Sequence, residues 1–146
     1  MLDGRFEGKV FILPIRIYFE DTDLSTVVYH ANYLRFMERA RTEFFRALGG
    51  VQSAYLEQAE PIAWALRKLT IEYIRPARID DVVEVHTTAR TLTGARLTAG
   101  QSIFCRGQLL TRGSVEACLI TLSGKPRRIP QDIRDKFQPF LCATET

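Results

Sequence analysis

The sequence predicts an α+β fold, with one antiparallel sheet of five to six strands wrapped around a single long central helix. Three observations predict it. Apolar and polar residues alternate with period two near the N-terminus and again through much of 62–122. Between those regions, 29–48 switches to the three-and-four spacing of a helix with one buried stripe. The 146 residues contain no repeat, low-complexity stretch or linker, so 1–146 reads as one domain, large enough to bury a core.

The first strand is expected at 10–19. Phe11, Leu13, Ile15, Ile17 and Phe19 share one face, and Arg16 and Tyr18 lie on the other. Pro14 lacks an N–H for a ladder, which puts part of this strand at an edge. The helix follows from about Tyr29 to Leu48, with Tyr33, Met37, Ala40, Phe44 and Leu48 as its buried stripe. Leu34, Phe36 and Phe45 widen that stripe, so the helix should be largely enclosed. Gly49-Gly50 ends it. A linking segment spans 51–61, and four strands are expected near 62–74, 82–92, 96–106 and 109–122. Thr93-Gly94 marks a hairpin-like turn, and Arg106-Gly107 and Arg112-Gly113 each mark a turn or irregularity. The tail from Ser123 is polar, with a short helix at Gln131–Phe137.

Composition excludes several function classes. Hydrophobic residues make up 46% and charged residues 25%, ordinary for a globular protein, and no apolar run approaches a membrane span. Met1–Glu7 has no basic segment followed by an apolar one, so no signal peptide is expected. Cys105, Cys118 and Cys142 are odd in number and include no C-x-x-C pair, which argues against a disulfide framework or zinc site and fits a cytoplasmic setting. The formal charge of +3 suits an anionic small ligand. Without an arginine block or stacking platform, it does not indicate nucleic-acid binding.

The chemistry concentrates in Tyr18–Tyr33. Asp23 precedes His30 by seven residues, where an acidic turn leads into the helix. The residues support two readings. Asp23, Ser25 or Thr26 could cap the helix, with His30 on its exposed first turn. Alternatively, the free N–H groups of the helix start, near Tyr29, His30 or Ala31, could bind the oxygen of a polarised acyl carbonyl. Asp23 could then attack the carbonyl carbon or deprotonate a water that does, with His30 assisting. A thiolate leaves with a pKa of about 8.5 and needs little acid catalysis, so a thioester suits so sparse a site.

Tyr18 to Arg41, with Glu20-Asp21-Thr22-Asp23, Val27-Val28-Tyr29-His30, Asn32-Tyr33 and Glu38-Arg39-Ala40-Arg41, resembles the opening motif of the hotdog-fold acyl-CoA thioesterases. It is most similar to the 4-hydroxybenzoyl-CoA thioesterase family and its Tol–Pal-cluster-associated branch. Tyr73-Ile74-Arg75-Pro76-Ala77, Asp80-Asp81 and Lys125–Pro130 resemble that family's later segments more weakly. The resemblance implies Asp23 as the catalytic carboxylate, His30 in the branch's histidine position, and an oxyanion contact from a backbone N–H at the helix start. Tyr29, Ala31 and Thr26 would border that site. One departure stands out. Where the family carries small residues with glycine, this chain has Leu24-Ser25-Thr26, which predicts a reshaped turn.

Arg75, Arg78, Arg127 and Arg128 are candidates for the phosphates of coenzyme A, or for a solvated charged edge. His86 reads as a surface or interface residue, and Trp64 and Tyr73 as core or pocket lining. No metal or redox cofactor is implied, and coenzyme A enters only as part of the substrate. Exposed sheet edges predict a homodimer or homotetramer. Two other readings use the same scaffold: hydrolysis of acyl groups on acyl carrier protein, and non-catalytic acyl-CoA binding.

Overall fold

In the computed structural model, which describes residues 2–143, six strands form one antiparallel sheet. They are β1 (Arg5–Glu7), β2 (Val10–Arg16), β3 (Ile62–Tyr73), β4 (Val82–Leu92), β5 (Arg96–Cys105) and β6 (Gln108–Thr121), in spatial order β1-β2-β4-β5-β6-β3. The helices are α1 (Asn32–Ala47), α2 (Gln52–Glu57) and α3 (Gln131–Phe137).

The expected alternation sets the inner face. Phe11, Leu13 and Ile15 of β2 pair with Thr87, Val85 and Val83 of β4, and these lie in the core beneath α1. From α1, Tyr33, Phe36, Met37, Ala40, Phe44 and Phe45 are all buried. Complete burial of a large apolar side chain contributes roughly 1.5–3 kcal/mol, so this face fixes the helix on the sheet. Leu48, expected in the stripe, is only partly buried at the helix end.

Pro14 lies just beyond the last residue of β2 that β1 pairs, Ile12, so its missing N–H faces an open edge. Arg106-Gly107 is a two-residue hairpin loop between paired Cys105 and Gln108, and both residues take positive φ, 49° and 77°.

Four expectations need correction. Phe19 leaves the strand and is 76% exposed. It sits in a 3₁₀ turn, Phe19–Asp21, held by Asp21 Oδ2 accepting from the Tyr18 N–H at 2.8 Å. The helix starts at Asn32 rather than Tyr29, because Val28 and Tyr29 donate their N–H groups to the Ala77 and Asp21 carbonyls and stay extended. Arg112-Gly113 lies within β6, not at a turn. The tail is not merely polar: Ile129, Ile133 and Phe137 are buried, and Phe137 stacks on Phe44 and Phe45 at 5.8 and 5.9 Å. The segment expected to link α1 to the sheet contains α2, and the N-terminus adds β1 through a turn at Gly8 (φ 61°).

Candidate active site

Asp21 to Tyr29 forms a small hairpin. Thr22 bridges Val28, the Asp23 N–H donates to the Val27 carbonyl at 3.0 Å, and Leu24-Ser25-Thr26 makes the turn. Thr26 closes it with φ 69°, a left-handed conformation that a β-branched residue rarely adopts. The hairpin docks on the chain before β4: Val27 bridges Arg78, and the Ile79 N–H donates to the Thr26 carbonyl.

Asp23 is exposed at the hairpin tip. Its Oδ1 accepts from the Ser25 hydroxyl at 2.6 Å and the Ser25 N–H at 2.8 Å. These bonds, the hydroxyl first, hold the carboxyl below the usual carboxylate range. The Asp-x-Ser spacing that builds this Asx-turn was readable in the chain.

The other arm leads into α1. Its N-cap residue is Ala31, and no side chain caps it, so the capping reading of Asp23, Ser25 and Thr26 does not hold. The Tyr29 N–H donates to the Asp21 carbonyl at 3.0 Å, which removes Tyr29 as an oxyanion donor. Among the described residues, the N–H groups of His30 and Ala31 have no protein acceptor. Tyr73, expected only as core or pocket lining, supports this junction: its hydroxyl donates to the His30 carbonyl at 2.8 Å. Asn32 Nδ2 donates to the Asp21 carbonyl and ties the helix start to the hairpin base.

The His30 ring is exposed between Tyr29, at 4.5 Å, and Tyr73, at 6.2 Å. No hydrogen bond joins it to Asp23. In the hairpin Asp23 lies across from Val27, so His30 stands three residues further along, roughly 10 Å at strand spacing.

The four arginines do not form one cluster. Arg75, whose Nη1 donates to the Leu109 carbonyl at 3.1 Å, and Arg78 lie at the Asp23 end. The Arg127 N–H donates to the Leu119 carbonyl near the opposite end of β6. Leu109 and Leu119 lie ten positions apart on one strand, about 33 Å. Arg127 also pairs with Glu60 at 2.8 Å, and Arg128 is exposed near Gly94. His86 is half-buried on the outer sheet face beside Phe104, and Trp64 packs edge-on against Phe45 and Phe137.

A cavity of about 140 Å³ lies between the second half of α1 and the sheet, lined by Glu38, Arg41, Phe45, Trp64, Leu97 and Val115 among others. No group of three His, Cys, Asp or Glu among the described residues could hold a metal ion. Nor is any of their helices long and apolar enough to cross a membrane.

An antiparallel sheet wrapped around one enclosed helix is the hotdog architecture. The chain belongs to the thioesterase superfamily, whose profile matches residues 26–111. It is 41% identical over 131 residues to YbgC of Escherichia coli O6:H1, an acyl-CoA thioester hydrolase, covering 88% of this chain and 96% of that protein. YbgC of Haemophilus influenzae, an acyl-CoA thioesterase, is 36% identical over 138 residues, covering 94% of this chain and 97% of the relative. Among solved structures, a probable thioesterase from Bartonella henselae superposes with a TM-score of 0.79 at 39% identity, covering 82% of this chain and 98% of that one.

Proposed function

We propose that this enzyme hydrolyses acyl-CoA thioesters to a free carboxylic acid and coenzyme A, with Asp23 as the catalytic carboxylate. The supporting observation is the pairing of an ionised, exposed Asp23 with an uncapped helix start offering two N–H groups. The thioester carbonyl oxygen sits on the His30 and Ala31 N–H groups, which carry the partial positive charge of the α1 N-terminus. An Asp23 oxygen then attacks the carbonyl carbon. The tetrahedral oxyanion collapses, the C–S bond breaks, and the sulfur leaves as the thiolate of coenzyme A. Water hydrolyses the resulting mixed anhydride and regenerates the carboxylate. If Asp23 instead acts as a general base, it takes a proton from the water that attacks the same carbon. The His30 ring borders the carbonyl, and the Tyr73 hydroxyl positions the His30 peptide.

Within one protomer, the phosphates of coenzyme A are assigned to Arg75 and Arg78, which share the Asp23 end of the sheet. β3 presents an open twelve-residue edge with no proline and with Leu66 and Tyr73 half-exposed. A second copy pairing antiparallel along it would continue the sheet and bring the partner's far end, with its cavity and remaining arginines, toward the Asp23 end. The functional unit is therefore read as a homodimer, or a homotetramer built from two.

The test is thiol release from acyl-CoA substrates by parent, Asp23→Asn and His30→Ala. Loss of about 100-fold or more in kcat is expected for Asp23→Asn. His30→Ala keeps its backbone N–H and should lose less. Full activity in Asp23→Asn would refute the assignment, and absent turnover with every acyl-CoA would favour a binding protein. Turnover only when the same acyl chain is carried by acyl carrier protein would move the activity to that carrier.

A further inference from the structure

Gln101 is completely buried on β5, and its bonds fix the orientation of its amide. Nε2 donates to the Met37 carbonyl and to Thr87 Oγ1, both at 2.9 Å. Oε1 therefore points the other way and accepts from Arg41 Nη1 at 2.9 Å. Among the described residues this is the only hydrogen bond of the Arg41 side chain, and no carboxylate forms an ion pair with it. A guanidinium carries five donors, and within the described residues Gln101 takes one of them.

Arg41 is also half out of water. Burial pushes its guanidinium below the ordinary arginine value, opposed by the nearby charge of Glu38, yet an arginine stays protonated at any working pH. The space beside it is mostly apolar, walled by Phe45, Trp64, Leu97, Val115 and Phe137. A partly desolvated cation on the wall of a mainly apolar cavity, with Glu38 as the one carboxylate in the lining, matches a ligand with an apolar body and an anionic end.

We propose that this cavity receives an acyl group ending in a carboxylate, and that Arg41 selects acyl-CoA thioesters of dicarboxylic acids. This rests on the acyl-CoA hydrolase reading. The cavity volume of about 140 Å³ is close to the roughly 150 Å³ of a hole that holds benzene, so it takes on the order of six carbons. The cavity is lined by Trp64, Ala65 and Leu66 of the β3 edge and by no residue of the Asp23 hairpin or helix start, so the acyl chain reaches it from the Asp23 end of a second copy paired along that edge. A methyl-terminated chain fits the same walls but leaves the guanidinium donors facing hydrocarbon.

The experiment compares adipyl-CoA with hexanoyl-CoA, which match in length and differ in the terminal carboxylate. The parent should favour adipyl-CoA in kcat/KM. Arg41→Met should shrink that ratio about 10- to 100-fold, mainly through KM, and Arg41→Lys should keep part of it. Calorimetric binding of the matched thioether analogues, which cannot be cleaved, reads the same preference without turnover. If neither thioester is hydrolysed but the carboxylated analogue still binds more tightly through Arg41, the hydrolase reading fails and the carboxylate site stands. A parent with no preference for the carboxylated member in turnover or binding overturns the proposal. So does an Arg41→Met enzyme that loses both substrates alike and dissociates on size exclusion, which would make Arg41 a subunit contact.

Discussion

Replacing Thr26 with glycine should stabilise the protein. Thr26 holds φ 69° at the tip of the Asp23 hairpin, and the left-handed region costs an L-residue about 1–2 kcal/mol, with a β-branched side chain at the upper end. Glycine removes that strain but brings more backbone freedom to the unfolded chain, which offsets about 0.5–1 kcal/mol. It also loses the exposed bond from Thr26 Oγ1 to the Ser25 carbonyl, a few tenths at such a position. The balance favours Thr26→Gly by about 0.5–1 kcal/mol, or a Tm rise of roughly 2–3 °C for a chain of this size. Urea and thermal unfolding followed by circular dichroism measure it, with Thr26→Ala as control, because alanine keeps a Cβ and should gain little. A lower Tm for Thr26→Gly, or equal gains for glycine and alanine, would refute the strain argument.

Three other predictions concern the site and its support. Ser25→Ala removes the hydroxyl that most lowers the Asp23 pKa. Since Asp23 acts ionised, kcat/KM is lost as pH falls through that pKa, and the variant's acid limb should move to higher pH. An unmoved limb would mean that Asp23 does not control it. Gln101→Met breaks bonds to Met37, Thr87 and Arg41 inside the core and should cost about 1–3 kcal/mol in urea unfolding; a neutral result would show that the network adds no stability. Gly113→Ala places a Cβ 2.7 Å from the Thr70 carbonyl oxygen and 3.1 Å from Met37 Cε, so a loss of about 1–3 kcal/mol is expected, and an unchanged unfolding midpoint would show that the β3–β6 pair can shift to admit it.

Local pattern alone determined much of this protein. The period-two runs located the ends of β3, β4, β5 and β6 to within a residue or two, and the stripe of Tyr33, Met37, Ala40 and Phe44 identified the face of α1 that meets the sheet. Arg106-Gly107 showed its turn because side-chain chemistry there answers directly to backbone conformation. Resemblance pointed to Asp23 and His30 as the candidate pair, but hydrogen bonds between distant segments decided the geometry around them. Ala77 and Asp21 take the N–H groups of Val28 and Tyr29, which delays α1 to Asn32 and leaves His30 and Ala31 as the open donors. Position along β6, invisible to periodicity, separates Arg75, at the Leu109 carbonyl, from Arg127, at the Leu119 carbonyl. In the sequence Arg41 stood only as the last residue of the Glu38-Arg39-Ala40-Arg41 motif. Only packing against β5 brought Gln101 beneath it and made it the cation of a cavity. Period and propensity act over a few residues, whereas a site assembled from segments 60 positions apart exists only once the sheet closes around the helix.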